Sequence, residues 1–347
     1  LVTAGMSQIA LAGDSVYVNT SSLRYRTSAQ IKDNNIAGNL SYGQKLERVG
    51  TSGQWTMILL NGKKYYVSSA YVTSKKPASA GAVQTTSQTA AGAQTSGGTA
   101  IALSSNYKYA NYSKINSGTA TLYRSTASNK KNKVVCVNAG HGTNGGGSVK
   151  TQCHPDGSAK VTGGTTGAGA TSAVAVSSGM TFADGTAESK VTLAMAKVLK
   201  TKLLNAGYDV LMIRESDDVQ LDNIARTVIA NNNADCHIAL HWDSTSSNKG
   251  AFFMSVPSNA TYRAMEPVAS HWKQHNQLGE SLISGLKSAG VKIYSKGSME
   301  MDLTQTSYST IPSVDIELGD KASDHSGATL ETLANGLLAG VNTFFGQ

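Results

Sequence analysis

Beyond residue 133 the apolar residues follow two alternating patterns. Short apolar runs indicate buried strands, and stretches with apolar residues three and four positions apart indicate amphipathic helices. The two patterns predict strands at 133–138, 209–213, 236–240, 251–256 and 313–317, and helices at about 187–205, 221–233, 261–289 and 327–345. Strands that alternate with helices are typical of an α/β fold. We therefore expect a doubly wound, mostly parallel sheet with helices on both faces.

The first part of the chain has a different pattern, in which short strands are separated by turns. Strands are predicted at 16–18, 23–26, 44–49, 55–59 and 64–67. Asn61-Gly62 falls between the last two strands, and this dipeptide is a strong signal for a tight hairpin turn. The pattern predicts a small all-β barrel over residues 14–76.

A segment of low complexity connects these two parts. Residues 77–105 contain no charged residue and consist mainly of Ala, Gly, Ser, Thr and Gln. Such a segment cannot bury enough apolar surface to offset the entropy lost on ordering, so we predict a flexible linker. The next residues, 106–133, carry six Lys and Arg and no acid, together with Tyr107, Tyr109 and Tyr112. They either pack on the last domain or contact an external surface.

The net charge of +8 is distributed unevenly along the chain. Residues 1–133 hold 15 Lys and Arg against three Asp and Glu, whereas residues 134–347 hold 15 against 19. A basic front part indicates an anionic surface as partner. The basic residues do not form a dense run with interleaved aromatic residues, so we expect no binding to nucleic acid.

Several features predict a secreted protein without a transmembrane helix. No apolar run reaches the length of about 18 residues that a membrane span requires. Residues 1–12 end in Ala10-Leu11-Ala12, a small-x-small pattern that we interpret as the remnant of a signal peptide.

Cys136 and Cys236 lie in predicted strands and are expected to be small buried residues. A disulfide between them stays open if their strands are neighbours.

Three residues that are far apart in the chain form a candidate metal site. His141 follows the first apolar strand within Ala139-Gly140-His141-Gly142, His241 ends the strand that begins at Cys236, and Glu188 opens the helix between them. An open parallel sheet brings such strand ends and helix starts to one edge. Two imidazoles and one carboxylate leave the fourth position of a zinc ion free for water, which is the catalytic pattern. We therefore predict one Zn²⁺ per chain and metal-assisted hydrolysis.

Glu317 ends the last predicted strand and is the candidate catalytic acid and base. A carboxylate at the same sheet edge can take a proton from the attacking water and pass it to a leaving amine. Asp315, two residues earlier, faces the same way and is the competing candidate. His237 is expected to lie deeper in its strand as a core residue, and His271 and His275 are expected at the surface.

The ordered set of motifs resembles the zinc-dependent N-acetylmuramoyl-L-alanine amidases of bacterial cell walls. The similarity covers nearly all of residues 133–345, including Gly-His-Gly after the first strand, a Glu at the helix start, a strand ending in Arg, a strand leading to the second His, and a closing Pro…Glu-x-Gly motif. The resemblance implies that His141, Glu188 and His241 bind zinc and that Glu317 is the catalytic acid and base.

The same resemblance implies a peptidoglycan hydrolase that cleaves the amide between N-acetylmuramic acid and the L-alanine of the stem peptide. Asp243 and Arg214 are then candidate substrate contacts, within a catalytic domain at 106–347 whose core is 133–345. We expect a secreted monomer associated with the cell wall. A zinc peptidase that cuts within the stem peptide, or a non-catalytic wall-binding protein, are the alternatives.

The sequence departs from the family pattern in three places. Asn138-Ala139 stands where the family has Asp-Pro, and Asp243 stands where it has Asn. The stretch between Gly142 and Glu188, residues 143–187, is longer than expected and rich in Gly, Ser and Thr. It is either a rim loop that shapes the substrate groove or a gate over it.

Residues 14–76 resemble the bacterial SH3-like cell-wall domain. Leu23-Arg24-Tyr25-Arg26 stands where that family has Leu-Asn-Val-Arg, Trp55 matches its strand tryptophan, and Tyr65-Tyr66-Val67 followed by Tyr71-Val72 matches its closing segment. The resemblance implies that this domain binds the wall, with peptidoglycan and anionic wall polymers as partners. The linker would then let the tethered enzyme search its surroundings.

Overall fold

The structure is a computed structural model that describes residues 14–19, 22–30, 33–41, 43–76 and 97–347. The chain divides into two compact units, Leu1–Thr89 and Ala90–Gln347. The predicted signal-peptide remnant, 1–12, and most of the predicted linker, 77–96, lie outside the described residues.

The first unit is an antiparallel sheet of seven strands. The strands are β1 Asp14–Val18, β2 Ser22–Arg26, β3 Ile36–Ser41, β4 Lys45–Ser52, β5 Trp55–Leu60, β6 Lys63–Ser68 and β7 Val72–Thr73, in the order β3-β2-β6-β5-β4-β1-β7. Alternate apolar residues point inward and form one core of Val16, Val18, Leu23, Leu40, Leu46, Ile58 and Val67. This architecture agrees with the small all-β domain that the sequence predicts.

The hairpin turn at Asn61-Gly62 is confirmed. Leu60 pairs with Lys63, so the two residues between them form the whole loop. Both have positive φ, 50° for Asn61 and 76° for Gly62, as the two-residue turn that matches the twist of paired strands requires.

The second unit is built around a mixed sheet of eight strands. In chain order its elements are β8 Thr99–Ala102, β9 Thr119–Tyr123, β10 Val134–Ala139, β11 Lys150–Gln152, β12 Ser172–Val174, α1 Glu188–Asn205, β13 Asp209–Met212, α2 Asn223–Asn233, β14 Cys236–Asp243, β15 Ala251–Ser255, α3 Ala260–Ala264, α4 Val268–Ser288, β16 Ile293–Glu300, α5 Thr304–Tyr308, β17 Ser313–Asp320 and α6 Gly327–Phe345. The strand order is β16-β15-β17-β14-β10-β13-β9-β8, and β11 and β12 form a separate hairpin.

Helices cover both faces of this sheet. Inward residues of α1, α4 and α6 pack on one face, where they meet Val135 and Val137 of β10 in the larger core. α2 packs on the other face against Cys136 and Leu211. Because β10 is buried on both sides, its residues read as a continuous apolar run.

The sheet contains both parallel and antiparallel strand pairs. The four central strands, β17-β14-β10-β13, run parallel. However, β9 is antiparallel to β13, β8 to β9, and β15 to β17. β15 and β16 form a further parallel pair, with α3 and α4 between them in the chain. The sheet is therefore mixed.

Two predicted segment boundaries also differ from the structure. Strand β8 lies inside the predicted linker 77–105 and pairs with β9, so the last residues of that range belong to the sheet. The helix predicted at 261–289 is divided into α3 and α4. Pro267 precedes α4 and lacks the backbone N–H that an uninterrupted helix would need.

The lead-in segment 106–133 packs on the second unit. Tyr107, Tyr109 and Tyr112 contact a small core around Tyr308 of α5 and residues of α2. The ring of Tyr308 meets those of Tyr109 and Tyr112 edge-on, at centroid distances of 5.6 and 5.4 Å. Of the two alternatives, the structure supports packing on the last domain.

Two further findings concern the cysteines and the helices. Cys136 and Cys236 are free and buried, so their prediction as small core residues is confirmed and they form no disulfide, although their strands are neighbours. Cys153 is also free and buried. None of the helices that the structure describes is long and apolar enough to cross a membrane.

Candidate metal centre

The three candidate ligands converge at the carboxyl edge of the parallel strands. His141 lies two residues beyond the end of β10, His241 lies near the end of β14, and Glu188 is the first residue of α1. His141 has a left-handed φ of 63°, which non-glycine residues adopt uncommonly. All three side chains are largely buried.

The donor atoms of these side chains face one another. His141 Nε2 lies 2.9 Å from Glu188 Oε1, and His241 Nδ1 lies 3.2 Å from the same oxygen. The two imidazole nitrogens are 3.0 Å apart, and one ligand atom from each residue fits within 4.8 Å of the others. Two nitrogens and one carboxylate oxygen match the donor set of a zinc site with an open position.

The end of the long stretch 143–187 supports two of these ligands. His141 Nδ1 donates to the carbonyl oxygen of Ser177 at 2.9 Å, which leaves Nε2 free to face the cluster. The backbone N–H of Met180 donates to Glu188 Oε2 at 2.8 Å. Such contacts fix the tautomer and orientation of a metal ligand.

Gly179 makes this close approach possible. Its φ is +81°, and a Cβ atom there would lie 2.7 Å from His141 Cδ2 and 2.8 Å from Glu188 Oε2. Gly140 has a similar role beneath His241, since a Cβ there would lie 2.2 Å from Cε1 of the ring. Both glycines therefore leave room for the ligand side chains.

The electrostatics of the cluster agree with a cation site. Burial alone would raise the pKa of Glu188, but its hydrogen bonds to His141 and His241 hold that pKa far below its ordinary value. For His241 burial has the opposite effect and alone would lower the pKa, but the negative charges of Asp315 and Glu188 raise this pKa to about 10. Negative charge thus collects around the imidazoles, as expected where a metal ion is to be bound.

Glu317 and Asp315 lie on β17 beside the cluster. In the parallel register Glu317 pairs with His241, and Asp315 pairs with Ala239 one step deeper. The pKa of Glu317 is raised well above its ordinary value, mainly by burial and to a smaller extent by the negative charge of the neighbouring Asp315. Burial also raises the pKa of Asp315. Glu317 Oε2 and Asp315 Oδ1 are buried without a hydrogen-bond partner among the described residues.

These residues lie in a groove of about 520 Å³. One wall comes from the stretch 143–187, which contributes Lys160, residues 164–166, residues 173–174 and residues 176–180. Another part of the lining comes from Met254, Met301 and residues 303–305. Of the two alternatives for this stretch, the structure shows it as a wall of the groove.

A buried carboxylate links these two parts of the lining. Asp302 accepts hydrogen bonds from His154 Nε2 at 3.1 Å, Lys160 Nζ at 2.9 Å, Val161 N at 2.7 Å and Thr162 Oγ1 at 2.6 Å. Asp302 is fully buried. Burial alone would raise its pKa, but these partners, chiefly His154, hold the pKa far below its ordinary value. These contacts connect the stretch 143–187 to the segment that contains Asp302.

The two predicted substrate contacts have different positions. Asp243 lines the groove, where its Oδ2 accepts from Lys249 Nζ at 2.7 Å. Arg214 is buried and donates to the carbonyl oxygens of Ala139, Gly140 and Ser189. The structure therefore does not bring Arg214 into the groove; this residue instead joins the end of β10 to the start of α1.

Two predicted histidine environments can also be compared with the structure. His237 is buried with Nε2 3.1 Å from Asn138 Nδ2, so its prediction as a core residue is confirmed. Burial and the nearby Arg226 lower the pKa of His237 to about 3. The prediction that His275 lies at the surface is wrong, because it is buried and its Nδ1 accepts from the backbone N–H of Ser313.

Sequence reasoning missed the residues that support the ligands. Ser177 and Met180 act through backbone groups, which no residue type reveals. Asp302 is 148 positions from His154, so no local spacing indicates their contact. The one usable signal is Gly179, a glycine shortly before a predicted ligand.

Comparisons with known proteins agree with this site. The sequence model of a family described as N-acetylmuramoyl-L-alanine amidase matches residues 135–334. Among solved structures, the N-acetylmuramyl-L-alanine amidase Ami1 from Mycobacterium smegmatis covers 63% of this chain and 99% of its own, with 18% identity and a TM-score of 0.51. Ami1 from Mycobacterium abscessus covers 61% and 98%, with 19% identity and a TM-score of 0.49. The N-acetylmuramoyl-L-alanine amidase from Clostridium difficile 630 covers 62% and 97%, with 16% identity and a TM-score of 0.44.

At these identities the solved structures support the fold of the second unit alone, and of the three only the first is similar enough to carry that argument. No curated protein matches the sequence.

Proposed function

This chain belongs to the N-acetylmuramoyl-L-alanine amidase family, and from that premise we propose that it cleaves peptidoglycan with one zinc ion bound by His141, Glu188 and His241. The bond broken is the amide between the lactyl group of N-acetylmuramic acid and the L-alanine of the stem peptide. The observation that carries the proposal is the convergence of these three donors, within 4.8 Å of one another, in the groove that Glu317 also lines.

The donor set fits zinc both in its ligand atoms and in the hydrogen bond that orients one of the ligands. Two imidazoles and a carboxylate are a known catalytic set with an open position, and His141 is oriented through its second nitrogen by a carbonyl oxygen. A zinc ion bound there would supply a Lewis acid that polarises the amide carbonyl and makes water more acidic.

Glu317 supplies the proton transfers of the reaction. Its carboxylate takes a proton from the attacking water while the water oxygen bonds to the carbonyl carbon. Glu317 then gives that proton to the alanine nitrogen as the carbon–nitrogen bond breaks. The products are a lactyl carboxylate and a stem peptide with a free α-amino group. The raised pKa of Glu317 suits a group that must hold and release a proton.

The first unit would act as the wall-binding domain of a secreted enzyme. Its antiparallel architecture supports the SH3-like assignment, and exposed Lys63 and Lys64 on β6 suit an anionic polymer. A tethered amidase gains a high local concentration of substrate. We propose that the enzyme is a monomer associated with the cell wall, with peptidoglycan and anionic wall polymers as its partners.

The test is an analysis of the new ends released from purified peptidoglycan. The full chain should release α-amino groups on L-alanine, and a chelator should abolish this release until zinc is added back. Glu317→Gln should lower turnover by roughly 10²–10⁴-fold, whereas Glu280→Gln, a control at an exposed position of α4, should retain it. Chelator-sensitive ends on other residues would identify a stem-peptide peptidase, and wall binding without new ends would identify a non-catalytic binder.

A further inference from the structure

We propose that Asp315 is a positioning residue that orients His241 for the metal ion, and that it is not a second proton carrier beside Glu317. The proposal rests on the proposed function, because it concerns the same metal site. It assigns separate tasks to two carboxylates that lie two residues apart on one strand.

The register of β14 and β17 sets the positions of these groups. His241 pairs with Glu317, and Ala239 pairs with Asp315. Since side chains alternate along a strand, Asp315 and Glu317 lie on the same face at successive depths. Asp315 lies two residues further from the carboxyl end of the strand than Glu317, and its Oδ2 lies 3.5 Å from His241 Nε2.

The two nitrogens of His241 therefore face different groups. Nδ1 is 3.0 Å from His141 Nε2 and 3.2 Å from Glu188 Oε1, so it belongs to the ligand cluster. Nε2 faces the carboxylate of Asp315. An imidazole that binds a metal through one nitrogen carries its proton on the other, and that N–H needs an acceptor. Asp315 Oδ2 is a carboxylate oxygen that faces this nitrogen at an ion-pair distance of 3.5 Å.

His141 shows the same arrangement with a different acceptor. Its Nδ1 donates to the carbonyl oxygen of Ser177, and its Nε2 faces the cluster. Each imidazole thus has an oxygen behind it and the ligand cluster in front. For His241 that oxygen belongs to a side chain, so substitution can remove it.

Glu317 has no comparable task. Its side-chain Oε2 has no hydrogen-bond partner among the described residues, and both Glu317 and Asp315 line the groove. This oxygen of Glu317 is therefore free for water and substrate, whereas one oxygen of Asp315 faces the ring of His241. This difference in surroundings separates the proton carrier from the positioning residue.

The experiment compares Asp315→Asn, Asp315→Ala and Glu317→Gln in the full chain. Zinc affinity is measured by competition with a chromophoric chelator, and ligand geometry is read from the visible absorption of the cobalt-substituted protein. Asp315→Ala should weaken zinc binding by roughly 10–100-fold and change the cobalt spectrum. Asp315→Asn keeps an acceptor and should weaken it less. Glu317→Gln should retain zinc affinity and the spectrum while losing turnover.

Turnover at saturating zinc provides the second comparison. Both Asp315 variants should recover much of their kcat when zinc is in excess, because the proton carrier is intact. If Asp315→Ala and Asp315→Asn bind zinc as the unsubstituted chain does but lose turnover at saturating zinc, Asp315 is a proton carrier and the proposal is overturned. Asp315→Glu, which restores a carboxylate, should regain part of the affinity and is the variant to measure if the others do not fold.

Failure of the proposed function has a different signature. In that case the unsubstituted chain would bind no zinc or would release no α-amino group from L-alanine. If it binds zinc and releases that group, but none of the Asp315 variants changes zinc affinity, only the positioning role is refuted.

Discussion

The backbone N–H of Met180 donates to Glu188 Oε2 at 2.8 Å. Through this hydrogen bond, the last residues of the stretch 143–187 hold a candidate metal ligand in place. The same segment holds His141 through the carbonyl oxygen of Ser177. The stretch is thus part of the metal centre as well as a wall of the groove.

Substitution of Gly179 should separate metal binding from overall folding. Gly179→Ala places a Cβ atom within 2.8 Å of both His141 and Glu188, at a φ that L-residues rarely adopt. We expect zinc affinity to fall at least about tenfold, as for the loss of a supporting contact. The control is Gly167→Ala in the same stretch, where a Cβ meets no atom within 4 Å. Equal zinc affinities for the two variants in chelator competition would contradict this expectation.

Asp302 should contribute to stability through its buried contacts. Asp302→Asn leaves the buried ammonium of Lys160 without its carboxylate partner. Breaking a buried pair in this way costs about 3–5 kcal/mol in the free energy of unfolding. The measurement is urea unfolding near neutral pH. Asp184→Asn, which removes an exposed carboxylate from the same stretch, should change that free energy little.

The contribution of Asp302 to the free energy of unfolding should depend on pH. The pKa of Asp302 is lower in the folded protein than its unfolded value of about 3.9. Its contribution is therefore present above about pH 4 and is lost as the pH falls further, because the unfolded chain binds the proton first. The difference in unfolding free energy between the unsubstituted chain and Asp302→Asn should shrink in this acid range. A difference that stays constant there would show that the charge of Asp302 does not contribute.

His275 should make the second unit sensitive to mild acid. Burial, with smaller effects from His271 and His237, lowers its pKa to about 3, against about 6.5 when unfolded. Between these values the unfolded chain binds a proton that the folded chain does not. Stability should therefore fall by about 1.4 kcal/mol per pH unit once the pH is well below 6.5.

The comparison for this effect is His275→Gln against His271→Gln. Glutamine keeps an acceptor for the Ser313 N–H but does not titrate, so the slope of unfolding free energy against pH should become shallower. His271→Gln, at the more exposed neighbour, should keep the original slope. Identical slopes for the two variants between pH 6.5 and 4 would refute the role of His275.

The wall-binding role of the first unit can be tested through its charge. Lys63→Glu with Lys64→Glu reverses two exposed charges on β6 and should weaken co-sedimentation with purified walls, most strongly at low salt. Lys197→Glu with Lys287→Glu makes the same change in net charge on exposed positions of the second unit. If both double variants lose binding equally, net charge rather than the first unit determines attachment.

The sequence by itself determined the well-buried elements of the second unit. Strands β10 and β14 consist mainly of apolar residues, and the amphipathic helix α6 was predicted at the residues where it occurs, because burial imposes a strong pattern. Strands β8, β9 and β16, at or next to the edges of the sheet, were missed because they are only partly buried and their polar residues carry little periodicity. The mixed sheet direction depends on strand pairing, which the pattern along the chain does not specify.

The residues of the candidate site also fall into two groups: those that the sequence predicted and those that only the structure revealed. His141, Glu188 and His241 were found from sequence because ligand side chains must be specific residue types at strand ends and a helix start. Their roles, and that of Glu317, stay predictions for the experiments above. The supporting contacts depend on distance in space, not on residue type: the carbonyl of Ser177, the N–H of Met180 and the carboxylate of Asp302 meet their partners only after the chain has folded. Tertiary structure therefore decided that Arg214 lies beneath the groove and that residues 143–187 form its wall, since only packing determines which polar groups remain free.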